Sequence, residues 1–417
     1  MNPPVDITRL IGRIEALGRT GALPGGGVSR LALTRADGEG RALVASWMHE
    51  LGLEVVVDAV GNVFATRPGT VPGPSVMIGS HIDTVATGGL YDGNLGVLAG
   101  LEVIAALNDA GIATQRPVTV AFFTNEEGAR FQPDMLGSLV HAGGLDLATA
   151  LDTRSIDGKR LGDELAAIGW AGDAAPGTVK AAAYLEYHIE QGPVLEAEGL
   201  DIGVVEGVQG ISWTEITFSG RASHAGCTPM RLRRDAGLAA ARIAAGVGEI
   251  ARGIGGDMVG TVGSLKLTPD LVNVIAEKAV MTVDLRHPQE ATLVEAETRL
   301  AELIEQVARE EKVEVATRRL ARFEPVAFDV ELVGRVEATA KSLGFGHRRM
   351  PSGAGHDAQM LARTCPAAMV FVPSQGGLSH NVREFTAPAA IEKGLAVLAT
   401  LTLELAGRAN ATAPEEV

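Results

Sequence analysis

Only two cysteines, Cys227 and Cys365, occur in 417 residues. That excludes a disulfide framework and makes a reduced, cytoplasmic setting the expectation. Basic residues are also scarce: 36 Lys and Arg against 51 Asp and Glu leave a formal charge of −15. Such a field disfavours nucleic acid and anionic membrane as partners, and a small anionic substrate would need a local basic pocket. No uninterrupted apolar run reaches the ~20 residues that span a bilayer. The opening MNPPVDITRLIGRIEALG has neither the basic head nor the apolar stretch of a signal peptide. Internal repeats, low-complexity tracts and the G-x-S-x-G elbow of serine hydrolases are missing as well. A soluble intracellular protein is expected.

What is present is a chain that is 46% hydrophobic, long enough for two domains with large cores. DGEGRALVASWMHELG has helical spacing with Asp37 as its cap, and LEVVVDAVGNVFAT reads as two short strands around a Gly-Asn turn. PSVMIGS and PVTVAFFTN read as buried strands flanking a buried helix, NLGVLAGLEVIAALNDAG, that ends at Gly111. This order predicts an α/β fold, a mostly parallel sheet with helices on both faces. The polar stretch from Leu151 to Gly177 is expected to fold over the surface. Near Gly210 the character changes. GISWTEITFSG, DAGLAAARIAAGVGEIARGI, DMVGTVGSLKL, NVIAEKAVMTVDLRHP, EATLVEAETRLAELIEQVAREEK and VEVATRRLARF spell β-α-β-β-α-β, the ferredoxin-like α+β unit. From about Pro325 the α/β style resumes. The reading is a discontinuous domain of residues 1–209 and 325–417 carrying an insert of residues 210–324, with the tail GRANATAPEEV frayed.

The stretch FFTNEEGARF sets Glu126 and Glu127 side by side directly after an apolar run. Neighbouring residues on a strand point to opposite faces, so these carboxylates cannot do one job as a symmetric pair. Ligands of open parallel sheets bind beyond the carboxyl ends of the strands. His81 falls just past VMIGS, and the two glutamates fall just past VTVAFF. The loop HIDTVATGGLYDGNLG presents Asp83 and Asp92, EYHIEQG presents His188 and Glu190, and GGLSHNV presents His380. Several His and carboxylates at strand ends are what a Zn²⁺ or Mn²⁺ pair requires, one carboxylate bridging. Singly each is weak: a lone His is more often structural, Asp-Gly is usually a turn, and an acidic pair is usually solvated. His49, His141, His287, His347 and His356 are assigned structural roles.

The motifs GSHIDTV, GGLYDGNLGVLAGLEV, FTNEEGARF, EYHIEQGPVLE, GRASHAGCTPM, VNVI…DLRHP, SGAGHDA and LSHN follow in this order across nearly the whole chain. In this the chain resembles the hydantoinase/carbamoylase group of binuclear-metal amidohydrolases, relatives of the aminopeptidase-like zinc peptidases. The resemblance implies two divalent ions (Zn, Mn or Co), one held by His81, Asp92 and His188 and the other by Asp92, Glu127 and His380. It implies Glu126 as general base and acid, and Asp83 as the group that orients the His81 ring. Gln191, His224, Asn273, Arg286 and the Ser352–Gly355 loop, with Gly353 and Ala354, would contact the substrate. An Arg fork suits a carboxylate, and His224 would donate to the oxygen that becomes negative. The insert would be a lid that also forms a homodimer. The implied activity is cleavage of the carbamoyl C–N bond of N-carbamoyl-L-amino acids, with allantoate and then β-ureidopropionate as alternative substrates. The bland readings are a strand-end salt bridge for Arg286 and a turn residue for Asn273. Two rivals rank lower. A Cys227 nucleophile would leave the ligand set unexplained. A non-catalytic binding protein would be favoured by a missing ligand or base, and every one is present.

Overall fold

The continuous apolar runs fold as strands buried on both faces. In the computed structural model, which describes residues 3–409, β1 (Glu54–Val57) and β2 (Val63–Arg67) form a hairpin. β3 (Ser75–His81) and β4 (Val118–Phe123) are buried along their whole length and flank the helix Asn94–Asp109. β5 (Ala181–Ile189) and β6 (Ile202–Val208) follow. Residues Gly207–Ala327 form one compact unit, and the described residues on either side of them form another.

The inserted unit contains β7 (Gly210–Ser219), β8 (Ser223–His224), β9 (Val259–Thr268), β10 (Val274–Ile275), β11 (Lys278–His287) and β12 (Glu314–Phe323). Its main sheet has the order β12-β7-β11-β9, antiparallel throughout, as a β-α-β-β-α-β chain requires. Ile216, Phe218, Met281, Val283 and Leu285 face the helices Ala236–Ile254 and Glu290–Glu311 and share one core with them. Trp213, Asp284 and Arg286 alternate with these and lie on the opposite face of the sheet. Asp284 sits directly across from Trp213 in the ladder.

After β13 (Val326–Ala327), which pairs with Gly207 and Val208, come β14 (His347–Ser352) and β15 (Ala367–Val372). β3 is parallel to both β4 and β5, and β15 is parallel to β5. The expected parallel sheet is therefore the centre of a mixed one. β2 joins β4, and β6 joins β15, in antiparallel sense. The five residues between β1 and β2 permit only an antiparallel return, and the hairpin then extends the edge in that sense. The helices Asn94–Asp109 and Pro388–Ala406 cover one face, where the Tyr187 hydroxyl donates to the Ile391 carbonyl at 2.9 Å. Leu136–His141 and Asp357–Leu361 cover the other, where the Ala358 N–H donates to Glu186 at 2.8 Å.

Three local expectations are corrected. Thr34, not Asp37, caps the helix Arg35–Glu50. Asp37 lies buried in the first turn, where it accepts from the Leu33 N–H at 2.8 Å and pairs with buried Arg41 at 2.9 Å. The polar stretch does not merely cover the surface. Leu161 and Leu165 join Phe131, Leu136, Val140 and Val60 in a second, smaller core, with Ile168 and Trp170 packed against it. Of the tail, Arg408 bridges Thr114 and the Ala409 N–H donates to the Ala113 carbonyl at 3.0 Å; residues 410–417 lie outside the described residues. Among the described residues no helix is long and apolar enough to cross a membrane.

Candidate metal centre

The parallel core brings the carboxyl ends of β3, β4, β5 and β15 to one edge. His81, the last residue of β3, lies opposite Phe123, the last of β4, and His188 lies opposite Phe371 of β15. Beyond β4, Asn125 adopts a left-handed conformation with φ 57° and turns the chain so that Glu126 and Glu127 diverge. Its side chain donates to the Phe131 carbonyl at 2.9 Å, which fixes the turn. Gln191 and His380 are also left-handed, at φ 59° and 53°. Backbone strain of this kind costs about 1–3 kcal/mol per residue and persists where surrounding contacts enforce it.

His81, Asp92 and His188 form one group of potential ligands, and Asp92, Glu127 and His380 form another. Asp92 belongs to both, and its two oxygens divide the work. Oδ1 lies 3.6 Å from His81 Nε2 and 3.2 Å from His188 Nε2, whereas Oδ2 lies 3.5 Å from His380 Nε2. Glu127 Oε2 is 3.2 Å from the same His380 nitrogen. The imidazole tautomers follow from their outer contacts. His81 Nδ1 meets the Asp83 carbonyl and His188 Nδ1 meets the Ile189 carbonyl, each at 2.9 Å. A carbonyl only accepts, so in the neutral rings Nδ1 carries the proton and Nε2 is left as an acceptor, that of His188 taking the Gly93 N–H at 3.1 Å. Gly93 makes room for this. A Cβ there would lie 2.4 Å from His81 Nε2, and the residue has φ 65°.

Glu126 is a different kind of carboxylate. Its Oε2 is 3.3 Å from His81 Nε2, yet it belongs to neither ligand group. Burial raises its pKa well above the ordinary carboxylate range, with Asp357, Glu127 and Asp92 adding to this and His81 opposing it. Burial alone would depress His81, but Glu126, Asp92, Asp83 and Glu127 outweigh it and hold the ring well above its ordinary value. Burial would likewise raise Asp92, but hydrogen bonds to His188 and His81 keep it well below. The hydrogen bond to Glu127 brings His380 up to about 9. Each shift expresses one demand, positive charge at the centre of the cluster. Divalent cations would meet that demand, and imidazole and carboxylate donors are a set that holds them.

Asp83 acts differently from expectation. Its main-chain carbonyl, not its carboxylate, holds the His81 ring; the carboxylate takes the N–H groups of Glu126 and Glu127 at 3.3 and 3.4 Å. It thereby fixes the backbone of the two glutamates. Gln191, expected on the substrate, donates to Asp92 Oδ2 at 2.8 Å, and its Oε1 is buried without a partner. His356 packs edge-on against the His188 ring, with centroids 4.6 Å apart, and its Nε2 meets the Ser352 hydroxyl at 2.9 Å. Burial and His188 depress it well below the ordinary value, so it stays neutral. His356, His188 and Glu186 make a third potential ligand group. Glu186, however, already accepts from Ser80, Tyr184 and the Ala358 N–H. Ser352 Oγ also accepts from the Ala354 N–H at 3.1 Å, which shapes the loop containing Gly353. Glu190, named with His188, instead caps the short helix Val194–Glu198, taking the N–H groups of Val194 and Leu195.

The remaining site residues belong to the inserted unit. His224 Nδ1 accepts from the N–H groups of Gly226 and Cys227 at 3.1 and 3.2 Å, so the neutral ring carries its proton on Nε2. The β8–β10 pairing sets His224 opposite Val274, and the Asn273 carbonyl takes the Ala225 N–H at 3.0 Å. These two residues therefore share one exposed two-stranded ladder. Arg286 lies over the Trp213 ring, 5.9 Å from its centroid, and its Nη2 meets Asp284 at 2.8 Å. The guanidinium fork is thus engaged within its own strand, as the bland reading of Arg286 held. Glu384 was not anticipated: buried, and pushed up to about 7 by that burial, it takes the N–H groups of Tyr91 and Asp92 at 2.9 and 3.1 Å. Its nearness to His380 in LSHNVREF was the only available signal.

Residues 77–404 match peptidase family M20/M25/M40. The chain is 46% identical over 384 residues to an N-carbamoyl-L-amino-acid amidohydrolase of Rhizobium meliloti, covering 92% of each protein. It is 42% identical over 405 residues to the enzyme of the same description from Geobacillus stearothermophilus, covering 95% of this chain and 98% of that one. A crystal structure of a hydantoinase/carbamoylase-family amidase from Burkholderia multivorans superposes with a TM-score of 0.95 at 45% identity, covering 97% of this chain and 98% of that one.

Proposed function

This chain belongs to peptidase family M20/M25/M40 and to its hydantoinase/carbamoylase amidases, and on that premise we propose that it hydrolyses the carbamoyl C–N bond of N-carbamoyl-L-amino acids. The products are the amino acid, ammonia and carbon dioxide. The observation that carries this is the pair of ligand groups sharing Asp92, with Glu126 beside them and outside both. His81, Asp92 and His188 would hold one divalent cation, and Asp92, Glu127 and His380 the other. Two such ions supply Lewis acidity toward the scissile carbonyl and the attacking water.

The side chains do the rest. Glu126 takes a proton from the attacking water and delivers it to the departing nitrogen. His224, protonated on Nε2, donates to the carbonyl oxygen as negative charge develops there. Arg286 takes the substrate carboxylate, exchanging part of its contact with Asp284 for the ligand. Asn273 and the Gly353–Ala354 loop contact the remainder of the substrate, and Gln191 reaches it from its place on Asp92.

His224, Asn273 and Arg286 lie in the inserted unit and the cation ligands do not. We read the insert as a mobile lid that also forms a homodimer. Supporting this, β9 is an edge strand that pairs with β11 alone among the described residues, and Val259, Leu265 and Leu267 along it are exposed. A monomer in solution with full turnover would count against the dimer. Ammonia release measured side by side on N-carbamoyl-L-amino acids, allantoate and 3-ureidopropionate tests the substrate. Faster release from either of the last two would overturn the assignment while leaving the reaction class intact.

A further inference from the structure

The two loops that bring Asp92 and His380 together are far apart in sequence and neither is a strand. His380 has 53% of its side chain exposed, against 5% for Asp92, so burial does little to fix it. One buried side chain joins the loops. Glu384 Oε1 takes the Tyr91 and Asp92 N–H groups at 2.9 and 3.1 Å, 293 and 292 residues away along the chain. Its Oε2 lies 3.1 Å from the Ser379 hydroxyl, which in turn is 2.7 Å from Asp92 Oδ2. The Glu384 N–H closes a turn onto the Asn381 carbonyl at 2.9 Å, so the carboxylate is rigidly tied to the segment holding His380. The opposing loop is cleared for it: a Cβ on Gly89 would fall 2.2 Å from Glu384 Oε1. Ordinary packing does not call for a carboxylate that is 5% exposed, spans two loops and binds the main chain of a shared ligand.

We propose that Glu384 is a positioning residue that creates the second cation position, by locking the Asp92 main chain to the His380 segment. The inference rests on the two-cation reading above. It assigns Glu384 no contact with substrate and no part in proton transfer. Its loss should therefore loosen chiefly the Glu127–His380 cation although Asp92 is shared, because His81 and His188 are held by the Asp83 and Ile189 carbonyls and not by Glu384.

The test compares the intact wild-type protein with Glu384→Ala, Glu384→Gln and Ser379→Ala. Each is loaded with Mn²⁺ or Zn²⁺, dialysed against metal-free buffer, analysed for metal content, and titrated against a chromophoric chelator. Wild type should retain two ions. Glu384→Ala should retain one, the weaker affinity falling at least about tenfold while the tighter is unchanged. Its turnover should return at high metal concentration with KM unmoved. Glu384→Gln keeps an oxygen acceptor and should fall between the two, and Ser379→Ala, which removes one link, should weaken the same ion by less. If wild type itself retains fewer than two ions, the two-cation reading fails. If wild type retains two and Glu384→Ala binds both as tightly, or loses both together, the positioning role alone is overturned. Should Glu384→Ala not fold, unchanged second-ion affinity in both Glu384→Gln and Ser379→Ala overturns it equally.

Discussion

The cluster around Asp92 and the group His224, Asn273 and Arg286 are built on opposite principles. The first is buried and over-determined. His81, Asp92, Glu126 and His188 are each less than 8% exposed, main-chain carbonyls hold both buried imidazoles, and the Asp83 carboxylate holds the backbone of both glutamates. The second group is presented on a short two-stranded ladder and an open sheet face, with His224 and Asn273 exposed. Groups that bind an ion must be fixed before it arrives, since every misplaced donor costs affinity. Groups that meet a substrate must let it in and out. Rigidity in one region and access in the other are therefore expected of one catalyst.

The largest expected effect separates the two adjacent glutamates of the buried region. Glu126→Gln should retain both cations while turnover falls by at least ~10²-fold, the value of general acid–base catalysis. Glu127→Gln should lose cation content and activity together, and chelation of the wild type should do the same. Near-normal turnover in Glu126→Gln, or full metal content in Glu127→Gln, would show the pair to be misassigned.

Gly93→Ala tests how little slack the buried region has. The new Cβ would meet three atoms of the His81 ring at 2.4–2.5 Å, on a backbone with φ 65°. We expect a stability loss of about 1–3 kcal/mol and lowered metal content, read by denaturant melts and elemental analysis. Wild-type metal affinity in this variant would mean that the cluster is as pliable as the exposed group.

For the exposed region, Arg286→Lys keeps the charge but loses the fork. kcat/KM for a carboxylate substrate should fall about tenfold, roughly one charge-assisted hydrogen bond, with cation content unmoved. An equal loss on an uncharged amide analogue would make Arg286 structural, its role exhausted by Asp284 and Trp213.

The remaining contrast concerns pH and stability, and it is with a buried His outside the cluster. His141 stacks near Phe64 and Phe123, and burial, with Lys180 assisting, pushes it down to about 4. The unfolded chain titrates near 6.5, so between about pH 6.5 and 4 it binds a proton the folded state refuses. Stability from this residue is intact above 6.5 and falls as the pH falls, by about 2 kcal/mol between pH 7 and 5. His141→Phe should flatten that part of the stability profile, measured by urea unfolding at the two pH values. An unchanged profile would show that His141 does not titrate as argued.

Much of this was legible because it depends on local pattern. Continuous apolar runs named β3 and β4, and the β-α-β-β-α-β order needed only periods of two and 3.6 residues. The helix start at Thr34 was misread because Asp is by propensity the better cap of the two, and only the buried partner Arg41 shows why Asp37 lies inside. The polar stretch was misread because its few apolar residues are thinly spaced, and the core they complete is supplied by Phe131 and Val60 from elsewhere. The Asp83–His81 contact was anticipated, but the atom that makes it was not. A sequence names side chains, and here the main-chain carbonyl holds the ring.

The sequence by itself determined which donors exist, which strand ends carry them, and that Glu126 and Glu127 must diverge, because backbone geometry forbids neighbours a common direction. Tertiary structure alone decided that Asp92 turns one oxygen to His81 and His188 and the other to His380. It also decided that Glu384 ties Asp92 to a segment almost 300 residues away. Those relations are distances between atoms on loops whose ends are set by separate strands. No periodicity or spacing encodes them, and they appear only once the sheet has brought its four parallel strand ends to one edge.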